Sequence, residues 1–137
     1  MLLGFKKQFT GPILDGTKIF TIREKRKIEP KIGEKLHMYS GLRTKHTELI
    51  SKEHTLTGIQ TVNMLVSKSI NRLKVVIYVD DSCLTETQLK MFIQSDGFEN
   101  IEEFSDFWLE GIFYNKYGYR SIVKNNFVMY HWTGFRF

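Results

Sequence analysis

The sequence predicts an α+β domain: a small, mostly antiparallel β-barrel with a short N-terminal helix and a two-helix insertion. Short runs of β-branched and aromatic residues recur along the chain, which is typical of strands. Two segments with helical periodicity and capping residues follow one another between residues 85 and 108. Strands and helices do not alternate as in parallel βαβ proteins, so antiparallel pairing is expected. No repeat or linker divides residues 1–137, and we expect one domain.

The first elements are predicted from turn residues. Thr10 or Gly11 caps a first helix that has Pro12 in its first turn, where a missing backbone donor is tolerated. Gly16 ends this helix, because glycine readily adopts the positive φ of a helix terminus. The β-branched run at residues 19–23 predicts the strand that follows.

The rest of the chain predicts further strands around a pair of helices. One helix begins after Thr85 and ends at Gly97, and the other is capped by Asn100, with Glu103 three residues later as in a capping box. Apolar runs without breakers predict the remaining strands, which are residues 35–40, 55–66, 74–79 and 126–133.

Composition limits the class of protein. Apolar residues make up 42% of the chain and include eleven Phe, which excludes a disordered or fibrous polypeptide. No apolar run approaches the roughly 20 residues of a membrane span, and the residues before Lys6 are too few for a signal peptide. Cys83 is the single cysteine, so no internal disulfide is possible. We expect a cytoplasmic protein that does not associate with a membrane.

Charge is distributed unevenly and suggests partners. Residues 1–53 carry twelve Lys or Arg and six acids, whereas residues 54–137 carry eight and nine. The basic half favours an anionic ligand such as phosphate, although a solvated basic surface explains it equally well. Residues 79–110 contain nine acids and only Lys90 as a basic residue, so a protein partner of this acidic region is an alternative. The four His lack metal-ligand spacing and no phosphate-cradling glycine loop is present, so no metal or cofactor is predicted.

Four segments together resemble one family. Residues 16–23 have the form G-x-K-x-x-T-I-R, and residues 31–36 form an I-G-E turn before a strand. S-D-G-F at 95–98 precedes E-E-F at 102–104, and H-W-T closes the pattern at 131–133. In these segments the chain resembles the ASCH family, small β-barrels related to the PUA RNA-binding domains. The last segment is similar to a phage-associated branch, and the resemblance covers nearly the whole chain.

The resemblance implies an activity and its residues. Characterised relatives include an amidohydrolase that removes the acetyl group from N(4)-acetylcytidine with a Lys, a Thr and a Glu, and other members are thought to bind RNA or act on it. Carried over by motif, Lys18 is the base and Thr21 the nucleophile. The third position is Asp96 in this chain. Asp96 is one methylene shorter than the family Glu, which weakens the hydrolase interpretation because catalytic geometry tolerates little displacement.

The same residues can be interpreted without the resemblance. A Thr hydroxyl needs a neighbouring base, and Lys18 serves only if its pKa falls by about three units. Thr21 and Arg23 share a strand face, so Lys18 meets Thr21 only if the chain is still turning at residues 17 and 18. Arg23 is a candidate clamp for phosphate or carboxylate, and a structural ion pair is its alternative.

Three more residues are candidates for substrate binding. Tyr117 and Tyr119 lie in a segment, residues 113–120, that interleaves aromatic and basic residues, as in proteins that stack single-stranded bases. Rings that close the end of the barrel are the alternative. Arg43 lies in a basic loop that either contacts phosphate or is simply solvated.

The sequence thus favours a domain that binds RNA, a nucleoside or a nucleotide in a cleft around Lys18, Thr21 and Arg23. It leaves open whether the domain hydrolyses an amide such as that of N(4)-acetylcytidine. The alternatives are a non-catalytic protein-interaction or RNA-binding module, and a ribonuclease-like activity.

Overall fold

A computed structural model describes residues 1–137, the whole of the chain. Eight strands and three α-helices follow one another in the order β1 (Leu2–Phe5), α1 (Thr10–Asp15), β2 (Phe20–Glu24), β3 (His37–Ser40), β4 (Glu48–Ser51), β5 (Gly58–Lys68), β6 (Leu73–Val79), β7 (Ser82–Cys83), α2 (Glu86–Ser95), α3 (Ile101–Trp108) and β8 (Arg120–His131). A 3₁₀ turn at Lys7–Phe9 leads directly into α1. None of the helices has the length and apolar character needed to cross a membrane.

The strands pair in two sheets. The smaller sheet has the order β1-β3-β4, in which β1 is parallel to β3 and β4 is antiparallel to it. The larger sheet has the order β2-β8-β5-β6-β7 and is antiparallel throughout. The α+β class and the mostly antiparallel pairing are therefore confirmed. A closed barrel is not confirmed, because backbone pairing does not join the two sheets into one.

A single apolar core spans both sheets and the helices. Alternate residues of the strands point inward, as the two-residue repeat of a strand requires. The apolar faces of α2 and α3 cover the same core. Its most deeply buried members come from every layer of the fold and include Leu3, Phe20, Met38, Val62, Phe92, Phe104 and Met129.

Most of the predicted helix ends are confirmed, with two differences in capping. α1 begins at Thr10 without a side-chain cap, so neither Thr10 nor Gly11 caps it. Gly16 has a φ of +84° directly after α1. Asn100 caps α3 by accepting a hydrogen bond from the Glu103 backbone N–H at 2.9 Å. The Glu103 carboxylate does not return the bond to Asn100, as a full capping box requires, and accepts instead from the Glu99 N–H.

Three strand predictions differ from the structure. β1 and β4 were not expected, because each has only four residues and the parallel partner of β1 lies far along the chain. The last strand begins at Arg120 rather than at residue 126. Asn126 has a φ of +61° and lies where the β5–β8 register shifts. This bulge separates two halves of a longer strand, and only its second half has a continuous apolar pattern.

Candidate functional site

The turn after α1 places Lys18 outside the alternation of β2. Its backbone N–H donates to the Pro12 carbonyl at 2.9 Å, and β2 begins only at Phe20. The residues between Gly16 and the strand therefore still belong to the turn. As a result, the side chains of Lys18 and Thr21 line the same cavity. This is the arrangement expected if the chain is still turning at residues 17 and 18.

Lys18 and Asp96 form a buried ion pair. The ammonium Nζ donates to Asp96 Oδ1 at 2.5 Å and to the Asp96 backbone carbonyl at 2.7 Å, and both residues are 3% exposed. Asp96 lies at the C-terminus of α2, directly before Gly97, whose φ is +95°. A Cβ on Gly97 would lie 3.3 Å from Lys18 Cδ. Glycine at this position therefore leaves room for the lysine side chain.

Arg23 connects β2 to the smaller sheet. Its Nε donates to Thr21 Oγ1 at 3.1 Å, and its Nη2 donates to the Gly4 carbonyl of β1 at 2.6 Å. The guanidinium also lies 4.9 Å from the centre of the Phe5 ring, a cation–π contact. Two donors and one ring thus fix the orientation of Arg23 beside the Thr21 hydroxyl.

These four polar residues line one cavity of about 380 Å³, a size within the usual range for small-molecule sites. Lys18, Thr21, Arg23 and Asp96 supply charged and hydroxyl groups, and Lys6 and Glu24 add a further cation and carboxylate to the lining. Most of its remaining wall is aromatic, formed by Phe5, Phe9, Phe98, Phe107, Trp108 and Phe127. Cations and hydroxyls enclosed by rings make a site suited to a flat ligand that also offers hydrogen-bond acceptors.

Burial is the largest influence on the pKa values of Lys18 and Asp96. It lowers the pKa of Lys18, against the opposing attraction of the Asp96 carboxylate, and the nearby charge of Arg23 lowers this pKa as well. Burial also raises the pKa of Asp96, although Lys18 and Arg23 both oppose this shift. Burial thus disfavours both charges, and the contact between the two groups offsets part of that cost.

The Thr21 hydroxyl is polarised by its neighbour. Because Arg23 Nε donates to its oxygen, negative charge developing on that oxygen is stabilised. The hydroxyl proton is free to be donated to a ligand or to a base. Lys18 Nζ lines the same cavity, but it donates to Asp96 and makes no hydrogen bond to the Thr21 hydroxyl.

The sequence-predicted residues divide into two groups. Lys18, Thr21, Arg23 and Asp96 lie together in the cavity, whereas Arg43, Tyr117 and Tyr119 are not part of its lining. Arg43 is an exposed loop residue with a φ of +65°. Tyr117 and Tyr119 are 73% and 42% exposed. These rings therefore do not fill the interior, contrary to the expectation that they close one end of the fold.

Most of the aromatic wall was not predicted. Phe107 and Trp108 recur at the helical spacing of the apolar positions of α3, and only their position in the fold shows that they face the cavity. Phe9, Phe98 and Phe127 come from three other parts of the chain. A helical or strand period marks a side chain as inward-facing but does not distinguish packed interior from cavity wall.

The acidic region forms the end of β6, β7 and the α2–α3 pair. Three of its carboxylates form ion pairs within the molecule: Asp96 with Lys18 and Glu110 with Lys6, both at 2.5 Å, and Asp106 with Lys68 at 2.9 Å. No group of three or more His, Cys, Asp or Glu side chains is placed to hold a metal ion.

Comparisons with protein-family models, with curated proteins and with solved structures give no match to this chain. The interpretation of the cavity therefore depends on its own residues.

Proposed function

We propose that this protein is an ASCH-type domain whose cavity binds the base of a nucleoside or nucleotide, either free or within RNA. The observation that supports this most directly is the meeting of Lys18, Thr21, Arg23 and Asp96 in one aromatic-walled cavity. A base has a π face for the rings and carbonyl or ring-nitrogen acceptors for the cationic donors. A basic N-terminal half of the chain adds long-range attraction for a phosphate-bearing ligand.

The fold is compatible with this proposal. In it, the two sheets correspond to the two sides of a small PUA-like barrel, and the single core that spans both of them supports that correspondence. Arg23 bridges the sides through its bond to Gly4. The α2–α3 pair is the helical insertion that contributes Asp96 to the cavity.

Binding is tested by calorimetric titration of the purified protein with the four ribonucleosides and N(4)-acetylcytidine. We expect at least one of them to bind, and Arg23→Gln to weaken that binding by about tenfold or more, because a charged donor is lost from the wall. Arg72→Gln removes the same charge from an exposed residue outside the cavity and serves as the matched control. Absence of binding by all five compounds contradicts the proposal and favours the protein-interaction alternative.

Amide hydrolysis is a second candidate, supported by the Arg23 hydrogen bond to Thr21 Oγ1 and by the lowered pKa of Lys18. In this scheme Thr21 Oγ attacks the acetyl carbonyl carbon while its proton passes to the neutral Lys18 amine. The C–N bond then breaks, and the Lys18 ammonium returns that proton to the leaving amino group. Water hydrolyses the resulting acetyl ester, which releases acetate and restores Thr21.

Hydrolysis is tested by measuring acetate released from N(4)-acetylcytidine. Thr21→Val is nearly isosteric and is expected to abolish turnover while retaining binding, whereas Thr21→Ser keeps a hydroxyl and should retain part of the activity. Binding of N(4)-acetylcytidine by the wild type without any acetate release would leave a binding function alone. Turnover that survives in Thr21→Val would contradict the role of the hydroxyl.

A further inference from the structure

A second cavity, of about 530 Å³, adjoins the candidate site. The two cavities share Gly4, Phe5 and Lys6, so the end of β1 is the wall between them. On its far side the second cavity is lined by the end of β3 and the loop that leads to β4. We call it the β1–loop groove, and its remaining lining residues are Lys7, Ser40, Gly41, Leu42, His46 and Glu48.

The lining of the β1–loop groove includes two basic side chains that form no ion pair, Lys7 and His46, and one carboxylate, that of Glu48. Lys6 also lines the groove, but its ammonium is paired with Glu110. Ser40 is only 5% exposed and lines the groove. Its hydroxyl makes no hydrogen bond within the protein and is not among the fully enclosed unpaired atoms, so it is accessible from the groove. It is therefore available to a ligand beside the Lys7 and His46 side chains.

The loop that carries His46 has a fixed shape. The Gly41 carbonyl accepts hydrogen bonds from the hydroxyls of Thr44 and Thr47 at 2.6 and 2.9 Å. Gly41 itself has a φ of +62°, and a Cβ there would lie 2.6 Å from the His46 carbonyl oxygen. Glycine at this position permits the tight approach that brings His46 back toward β1. The groove is thus formed by the fold before any ligand arrives.

We infer that the β1–loop groove binds the phosphate of a nucleotide whose base lies in the central cavity. This inference rests on the proposed function and specifies its ligand as a base joined to a phosphate, rather than a free nucleoside. Lys7, His46 and the Ser40 hydroxyl donate to the phosphate oxygens, a donor set suited to a compact, multiply charged anion. Because the two cavities adjoin at Gly4 and Lys6, the base in one and the phosphate in the other can belong to the same ligand. Either a free nucleotide or one unit of a nucleic-acid chain has this chemistry.

The test compares the four ribonucleosides with their 5′-monophosphates and with inorganic phosphate, by calorimetric titration of the full-length protein. We expect a monophosphate to bind about tenfold or more tightly than its nucleoside, since hydrogen bonds to a charged group are strong. Lys7→Ala, Ser40→Ala and His46→Ala should each reduce monophosphate affinity several-fold and leave nucleoside affinity unchanged. Lys45→Ala removes a charge from the same loop, outside the groove lining, and should change neither affinity.

The outcomes separate this inference from the proposed function. Equal affinities for a nucleoside and its monophosphate, or equal effects of Lys7→Ala on both, overturn the phosphate site and leave the base cavity standing. Loss of all binding overturns both. Inorganic phosphate that binds in the groove without competing with the monophosphate also overturns the inference. A dinucleoside monophosphate that binds more tightly than either mononucleotide assigns the site to a chain, and the reverse order assigns it to a free nucleotide.

Discussion

Two polar groups are buried beside the Phe20 ring, and only one of them has partners. Lys18 Nζ lies 5.9 Å from the centre of that ring and is paired with Asp96. The His131 ring lies 5.6 Å from it and is completely buried, yet neither ring nitrogen has a hydrogen-bond partner. Burial lowers the pKa of both bases. Lys18 lines the candidate cavity, whereas His131 is a neutral residue of the core and is not part of that lining.

The two groups differ in how they satisfy burial: Lys18 has a charged partner and His131 has none. A charge that remains inside a protein needs a partner, and Asp96 supplies one for Lys18 from a distant helix. His131 meets the requirement by remaining uncharged, because burial and the nearby Arg136 lower its pKa to about 4. Substitutions around the charged Lys18 and at the neutral His131 should therefore change stability in different ways.

The largest effect is expected from removing one member of the ion pair. Asp96→Ala leaves the Lys18 ammonium buried without its carboxylate, and we expect the free energy of unfolding to fall by about 3–5 kcal/mol. The double variant Lys18→Met/Asp96→Ala removes both charges and should recover part of this loss. Urea unfolding of the three proteins measures the difference. A double variant no more stable than Asp96→Ala would show that the uncompensated charge is not the main penalty.

A smaller effect is expected from filling the space beside Lys18. Gly97→Ala and Gly16→Ala both place a side chain at a positive φ, which costs roughly 1–2 kcal/mol. A Cβ on Gly97 also meets Lys18 and Phe9 at 3.3 Å, whereas nothing lies within 4 Å of one on Gly16. Gly97→Ala should therefore be the more destabilising of the two in thermal unfolding. Equal losses would mean that the Lys18 side chain has room to move.

The pH dependence of stability should report His131. Its pKa is about 4 in the folded protein and 6.5 ordinarily, so between these values the unfolded chain binds the proton and the folded protein does not. The free energy of unfolding should therefore decrease as the pH falls from 6.5 to about 4. In His131→Phe this part of the decrease should be absent. Urea unfolding at several pH values across this range measures it, and identical slopes in both proteins would contradict the assignment.

The smallest effect on the free energy of unfolding is expected from the exposed residue Tyr117. Tyr117→Ala should change the free energy of unfolding by no more than about 0.5 kcal/mol, because the ring is outside the core. If the segment stacks on bases beyond the cavity, the same variant weakens binding of a short single-stranded RNA by about 1–3 kcal/mol. Nucleoside affinity should be unchanged. RNA affinity that is equal in both proteins would restrict the ligand-binding surface to the two cavities.

The centre of the site was predictable because it depends on local sequence. Gly16 sets the turn that takes Lys18 out of the alternation of β2, whereas the resemblance of residues 16–23 is what singled out Lys18 and Thr21. Arg23 follows from the two-residue repeat of the strand. Asp96 was identified only through the resemblance, since its contact with Lys18 joins residues that are 78 positions apart.

The surroundings of the site were not predictable in the same way. β1 is a four-residue strand that is defined by its distant partner β3, and it supplies both the Gly4 carbonyl for Arg23 and the wall between the cavities. Leu3 and Phe5 alternate with less buried residues in the structure. The sequence of β1, Leu-Leu-Gly-Phe, does not itself alternate between apolar and polar residues. Pairing between distant segments is information that local patterns do not contain.

Arg23 connects the candidate cavity to the smaller sheet, because its Nη2 donates to the Gly4 carbonyl of β1. If the proposed ligand competes for this donor, the bond to Gly4 weakens. We then expect amide hydrogen exchange along β1 to increase when ligand is added, so that the junction of the two sheets reports binding.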